Sequence, residues 1–139
     1  MIKETQNAEE TQAFAADFHR EHPNVAYCLL YGELGAGKTT FVKGFAKALG
    51  IDPTTVKSPT FSLIEDHGAF VHADLYRLAA PDPHLEAQLE EYSAAGKTVL
   101  IEWPERLSKR PEGALTLHFT HQGEDARTIE LNRPPSALC

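Results

Sequence analysis

Residues 32–39 read Gly-Glu-Leu-Gly-Ala-Gly-Lys-Thr and match G-x-x-x-x-G-K-[ST] at every position. The run before them, Val25 to Tyr31, is apolar and rich in strand-forming residues. The run after them, Thr40 to Leu49, sets Phe41, Phe45, Ala48 and Leu49 at helical spacing and stops at Gly50. Strand, glycine-rich loop and helix in that order narrow the fold more than any other feature of the chain. The glycines let the backbone curl so that successive N–H groups converge on phosphate oxygens. The helix aims its positive dipole end at the same anion. Lys38 is the expected cation for the β- and γ-phosphates, and the Thr39 hydroxyl the expected Mg²⁺ ligand.

The remaining pattern is α/β, a small mixed sheet with helices on its faces. Residues 5–20 read as an amphipathic helix, with Asn7 and Glu10 spaced as a capping box and Thr11, Phe14, Ala15 and Phe18 on one face. Thr60–Glu65 and Phe70–Asp74 read as strands joined at residues 66–69. Pro83–Ser93 is a helix by its Leu85, Leu89 and Tyr92 spacing, and Thr98–Trp103 a buried strand stopped by Pro104. Leu115, Leu117 and Phe119, then Ile129 and Leu131, alternate with polar residues as a final hairpin. At 139 residues the expectation is one P-loop domain over 1–139, with 133–139 a poorly defined tail.

Composition excludes several classes. No apolar stretch approaches the ~20 residues of a membrane helix. Met1-Ile2-Lys3-Glu4-Thr5 lacks the apolar core of a signal peptide. Cys28 lies inside an apolar strand and Cys139 ends the sequence, which suits a reducing cytoplasm and no disulfide framework. The net charge of −7 argues against a broad basic surface for nucleic acid. Arg106, Lys109 and Arg110 form the one dense basic cluster and read as a solvated face.

A nucleotide site also needs an acid for the metal and a group that orients water. Two strands end in an acid: Val99-Leu100-Ile101 leads into Glu102, and Phe70-Val71-His72-Ala73 into Asp74. Ligands of open α/β sheets bind at that carboxyl edge. Glu102 reads as the metal acid or as a helix-cap or salt-bridge partner, and Asp74 as a site acid or a turn carboxylate paired with Arg77. Thr60 reads as a γ-phosphate sensor or a turn hydroxyl in Ser-Pro-Thr. His72 shares a strand face with Asp74 and reads as a packed histidine or as one that modulates the site. Asp-x-x-Gly and Asn-Lys-x-Asp are both absent from the sequence, so the base expected is adenine rather than guanine.

Four blocks together carry a family resemblance: Gly32–Thr40, Val56-Lys57-Ser58-Pro59-Thr60-Phe61, Ala73-Asp74-Leu75-Tyr76-Arg77-Leu78 and Ile101-Glu102-Trp103-Pro104-Glu105-Arg106. In identity, order and spacing they resemble the TsaE (YjeE) ATPases of bacterial tRNA threonylcarbamoyladenosine biosynthesis, over about residues 5–132. The resemblance implies a compact P-loop NTPase fold that binds ATP and Mg²⁺ and hydrolyses ATP slowly. It implies two partner proteins, TsaB and TsaD, with TsaD as the threonylcarbamoyl transferase and little direct tRNA binding by this chain alone. It assigns Gly35, Ala36, Gly37, Lys38, Thr39 and Thr40 to the phosphates, Thr39 and Glu102 to Mg²⁺, and Asp74 with Lys38 to catalysis. Thr11 matches a threonine near the nucleotide, and Trp103 flanks the site. Relatives often place an arginine after the glycine of the last hairpin. Here Gly123-Glu124 stands there and Arg127 is kept. The stretch between the second helix and Glu102 is also short against the family. A small-molecule kinase and a nucleotide-dependent binding switch are the competing readings of the same loop.

Overall fold

The computed structural model describes residues 1–57 and 63–132. Thr60 and the 133–139 tail fall outside them. Chain order is β1 (Ile2–Thr5), α1 (Ala8–Glu21), β2 (Tyr27–Tyr31), α2 (Lys38–Ala48), β3 (Ile64–Asp66), β4 (Phe70–Asp74), α3 (Pro83–Ala94), β5 (Thr98–Glu102), β6 (Leu115–His121) and β7 (Arg127–Asn132). Short 3₁₀ turns occupy Pro53–Thr55 and Pro104–Arg106. The described strands form one seven-stranded sheet in the order β1-β7-β6-β2-β5-β4-β3. The inner four, β6, β2, β5 and β4, run parallel, and the pairs at either edge are antiparallel.

Alternation along the inner strands feeds two cores. Cys28, Leu30, Phe70 and Leu100 face α1 and α2, where Phe14, Phe18, Phe41 and Phe45 fill the layer. Leu29, Val71, Ala73, Val99 and Ile101 face Leu85 and Leu89 of α3. Helices on both faces bury the interiors of β2, β4 and β5, which is why those strands read as near-continuous apolar runs.

Several boundaries differ from the sequence expectation; the strand expected over Thr60–Glu65 has Leu63 outside it, left-handed at φ 65, and runs Ile64–Asp66 among the described residues. The first helix begins at residue 8, because Asn7 caps it by accepting from Glu10 N at 2.9 Å. Residues 2–5 form an edge strand instead, paired with β7. Its side chains are mostly polar and exposed, and only Thr5 is buried, so periodicity could not reveal it. Trp103, expected as the last residue of its strand, leaves β5 in a left-handed conformation at φ 59.

Helices α1 and α2 pack close enough to touch backbone to backbone. Phe41 meets Phe14 and Phe18 with ring centroids 5.9 and 5.6 Å apart. At Gly44 a Cβ would sit 2.5 Å from both Cα and O of Gln12. Gly44→Ala is expected to lower stability by roughly 1–3 kcal/mol, because overpacking outweighs the gain in helix propensity. Urea denaturation checks this, and an Ala variant as stable as wild type would show that the helices separate freely.

Candidate functional site

Strands β2, β4 and β5 finish at one edge of the sheet, and each delivers a different chemical group there. β2 hands over the loop 32–37, β4 ends in Asp74 and β5 in Glu102. The parallel register sets Asp74 beside Glu102, and Leu30 beside Glu102 on its other flank. The loop and both acids therefore line one cleft, with Lys38, Thr39, Thr40, Trp103 and Arg127.

The loop's shape depends on space that only glycine leaves. A Cβ on Gly32 would lie 2.7 Å from the Phe119 carbonyl of neighbouring β6. Gly37 is the N-cap of α2 and is left-handed, at φ 103. Among the described residues no side chain caps α2, whereas Asn7 caps α1 and Asp82 caps α3. The first N–H groups of α2 have no intrahelical acceptor. They and the helix dipole face the cleft as an open anion site.

Lys38 is 3% exposed. Its Nζ donates to the Gly32 carbonyl at 2.5 Å and stands 4.0 Å over the Trp103 ring. Burial lowers its pKa below the ordinary lysine range, against the opposing pull of Glu102 and Asp74. The left-handed backbone of Trp103 is unfavourable for a bulky residue. It accompanies an indole that packs against Lys38 and, at 5.0 Å between centroids, against Tyr76.

Glu102 is the hub of the floor. Its Oε2 accepts from the Thr39 hydroxyl at 2.9 Å and from His72 Nε2 at 2.6 Å. A hydroxyl and a carboxylate meeting beneath an anion site suit Mg²⁺, which takes few protein oxygens and completes its shell with phosphate and water. Asp74, 9% exposed, accepts from Tyr76 N at 3.0 Å. Burial raises its carboxyl pKa, and Glu102 adds to the rise while Tyr76 N–H, His72 and Lys38 oppose it.

Arg127 reaches the cleft from the start of β7. Its Nη2 donates to Gly35 O, and its Nη1 to the carbonyls of Glu124 and Ala126, all at 3.0 Å. The guanidinium braces the loop, and Glu124 serves through its backbone oxygen. The structure does not bring Thr11 into the cleft lining. Its hydroxyl is buried at 2.8 Å from that of Thr5, tying α1 to the strand position opposite Arg127. Each member of the basic trio has its own contact: Arg106 donates to Leu78 O, Arg110 to the Tyr31 hydroxyl, and Lys109 lines a small cavity beside Glu86 and Glu90. His72 is more than a packed histidine. Its distance from Glu102 in sequence hid the contact, which only the β4–β5 register creates.

This arrangement is that of the P-loop NTPase fold, with the phosphate loop and two acids on one sheet edge. A family model described as "Threonylcarbamoyl adenosine biosynthesis protein TsaE" matches residues 5–129, and the chain belongs to that family. It is 38% identical to the tRNA threonylcarbamoyladenosine biosynthesis protein TsaE of Bacillus subtilis, over 90% of this chain and 80% of that one. Against the protein of the same name from Treponema pallidum identity is 35%, over 90% and 95%. The crystal structure of Bacillus subtilis YdiB superposes with a TM-score of 0.68 at 30% identity, covering 99% of this chain and 87% of that one.

The raised Asp74 carboxyl has a consequence for stability. Between its ordinary value of 3.8 and its raised value in the fold, Asp74 holds more proton in the folded state than in the unfolded chain. The stability Asp74 contributes is therefore lost as pH rises through that window. Asp74→Asn preserves the acceptor for Tyr76 N–H and removes the loss. The variant is expected to melt above wild type without nucleotide at about pH 7, the gap closing as pH falls toward the ordinary Asp range. A variant that melts below wild type at neutral pH would contradict this.

Proposed function

We propose that this chain is a cytosolic, Mg²⁺-dependent ATPase that supports repeated turnover of the TsaB–TsaD threonylcarbamoyl transferase in tRNA modification. The observation that carries the ATPase reading is the Thr39–Glu102 contact, 2.9 Å long, below an uncapped helix start and beside Asp74. Family membership and the relatives' names support the pathway. The absent guanine-reading motifs support adenine as the base.

In this reading the N–H groups of residues 35–40 hold the phosphates and Lys38 leaves the Gly32 carbonyl to meet the γ-phosphate. Bound Mg²⁺ supplies the charge that offsets the phosphate oxygens, from a place held by Thr39 and Glu102. Asp74 orients the attacking water, and its raised pKa favours accepting the proton. Arg127 keeps the loop closed against β7. The net charge of −7, against one dense basic cluster in the sequence, supports tRNA being engaged chiefly through the partners.

Four measurements test the reading. Lys38→Ala should weaken ATP binding by about 1.5–3 kcal/mol, the worth of a hydrogen bond to a charged group. Trp103 is the chain's one tryptophan and lies against Lys38, so its fluorescence should report binding. Asp74→Asn should cut hydrolysis by about 10²–10⁴-fold with binding largely kept. In a reconstituted assay counting modified tRNA per TsaD, wild type should give many turnovers and Lys38→Ala few. Many turnovers with Lys38→Ala, or without this protein, would refute the proposed role. Equal calorimetric affinity for GTP and ATP would refute the adenine assignment.

A further inference from the structure

β4 is buried along its whole length, yet its middle residue is His72, 0% exposed between Val71 and Ala73. Its Nδ1 is buried and finds no partner among the described residues. An unpaired buried polar atom costs about 1–3 kcal/mol, so a leucine of similar volume would fill this place more favourably. What the imidazole supplies that leucine cannot is one hydrogen bond, Nε2 to Glu102 Oε2 at 2.6 Å. A carboxylate oxygen only accepts, so Nε2 carries the proton.

The other partner of that oxygen is the Thr39 hydroxyl, which the proposed metal would also engage. Both bonds fall on Oε2, and Oε1 accepts none among the described residues. A nearby group competes for this carboxylate: Lys38, whose charge already feels Glu102. Yet among the described residues the pair makes no ion pair, and Lys38 donates to Gly32 O instead. A glutamate with three rotatable bonds beside a partly desolvated ammonium would collapse onto it unless something held it back.

We propose that His72 is a positioning residue that tethers Oε2 of Glu102 from β4, keeping the carboxylate off Lys38 and leaving Oε1 free for a divalent cation. This rests on the nucleotide-site reading given under the proposed function. The tether joins two adjacent parallel strands, so the rigidity of the sheet is transmitted to a long side chain. Partners of this kind behind a metal ligand change metal affinity by about 10–100-fold when removed.

The test compares His72→Leu, His72→Gln and His72→Asn with wild type. Gln can place a donor near the Nε2 position, Asn only near Nδ1, and Leu none. The Mg²⁺ concentration at half-maximal binding of a non-hydrolysable ATP analogue is read by calorimetry, with affinity in EDTA and the melting temperature of the free protein alongside. Leu and Asn should need roughly 10–100-fold more Mg²⁺. Affinity in EDTA should be unchanged, and Gln should return close to wild type. A folded Leu or Asn variant with the wild-type midpoint would overturn the proposal, as would Gln as impaired as Leu. If Leu does not fold, the Gln–Asn pair decides by the same criterion. A wild type that binds no analogue at any Mg²⁺ concentration would instead overturn the nucleotide-site reading beneath it.

Discussion

The parallel, in-phase alignment of β2, β5 and β4 is the constraint on which the rest of the molecule rests. It sets the C-terminal residues of β4 and β5 side by side and stations the phosphate loop next to them. Parallel strands need crossovers, and here those crossovers are helices that must cover both faces of the sheet. Covering both faces makes the strand interiors dry. Any polar group on those faces must then find its partner inside the protein. The hydrogen bonds among Thr39, Glu102 and His72 follow directly from that requirement.

The cleft concentrates features that do little for stability. Lys38 and Asp74 are both shifted toward their neutral forms by burial. Trp103 holds a backbone conformation that favours glycine. Among the described residues the start of α2 lacks a side-chain cap of the kind that α1 and α3 have. Departures from local rules gathered at one sheet edge, in a molecule otherwise consistent from pattern to packing, are the physical mark of a site. The close contact of α1 with α2 at Gly44 and the packing of β6 against Gly32 provide the surrounding rigidity.

Much of this was legible in the sequence. The loop, its strand and its helix are contiguous, so short-range chemistry identifies them: glycine conformations, an apolar run, a helical period. Asp74 and Glu102 were also recognisable, because each is the acid that ends an apolar strand. The edge strand β1 was not, since its exposed side chains carry no periodic signal and it exists only by pairing with β7. Thr11 carried a signal of a different kind. A motif match associates it with the nucleotide, and the structure adds a buried contact with the Thr5 hydroxyl that ties α1 to β1.

By itself the sequence determined the class of fold, the phosphate loop and the acids that accompany it, because each is written in neighbouring residues. Which of those groups touch, and what stands behind them, was decided by tertiary structure alone. His72 and Glu102 are thirty positions apart in the chain and meet at 2.6 Å. Arg127 and Gly35 are ninety-two apart and meet at 3.0 Å. Strand order and register bring such pairs together. Those arise from the packing of all elements at once, so no local window of sequence contains them.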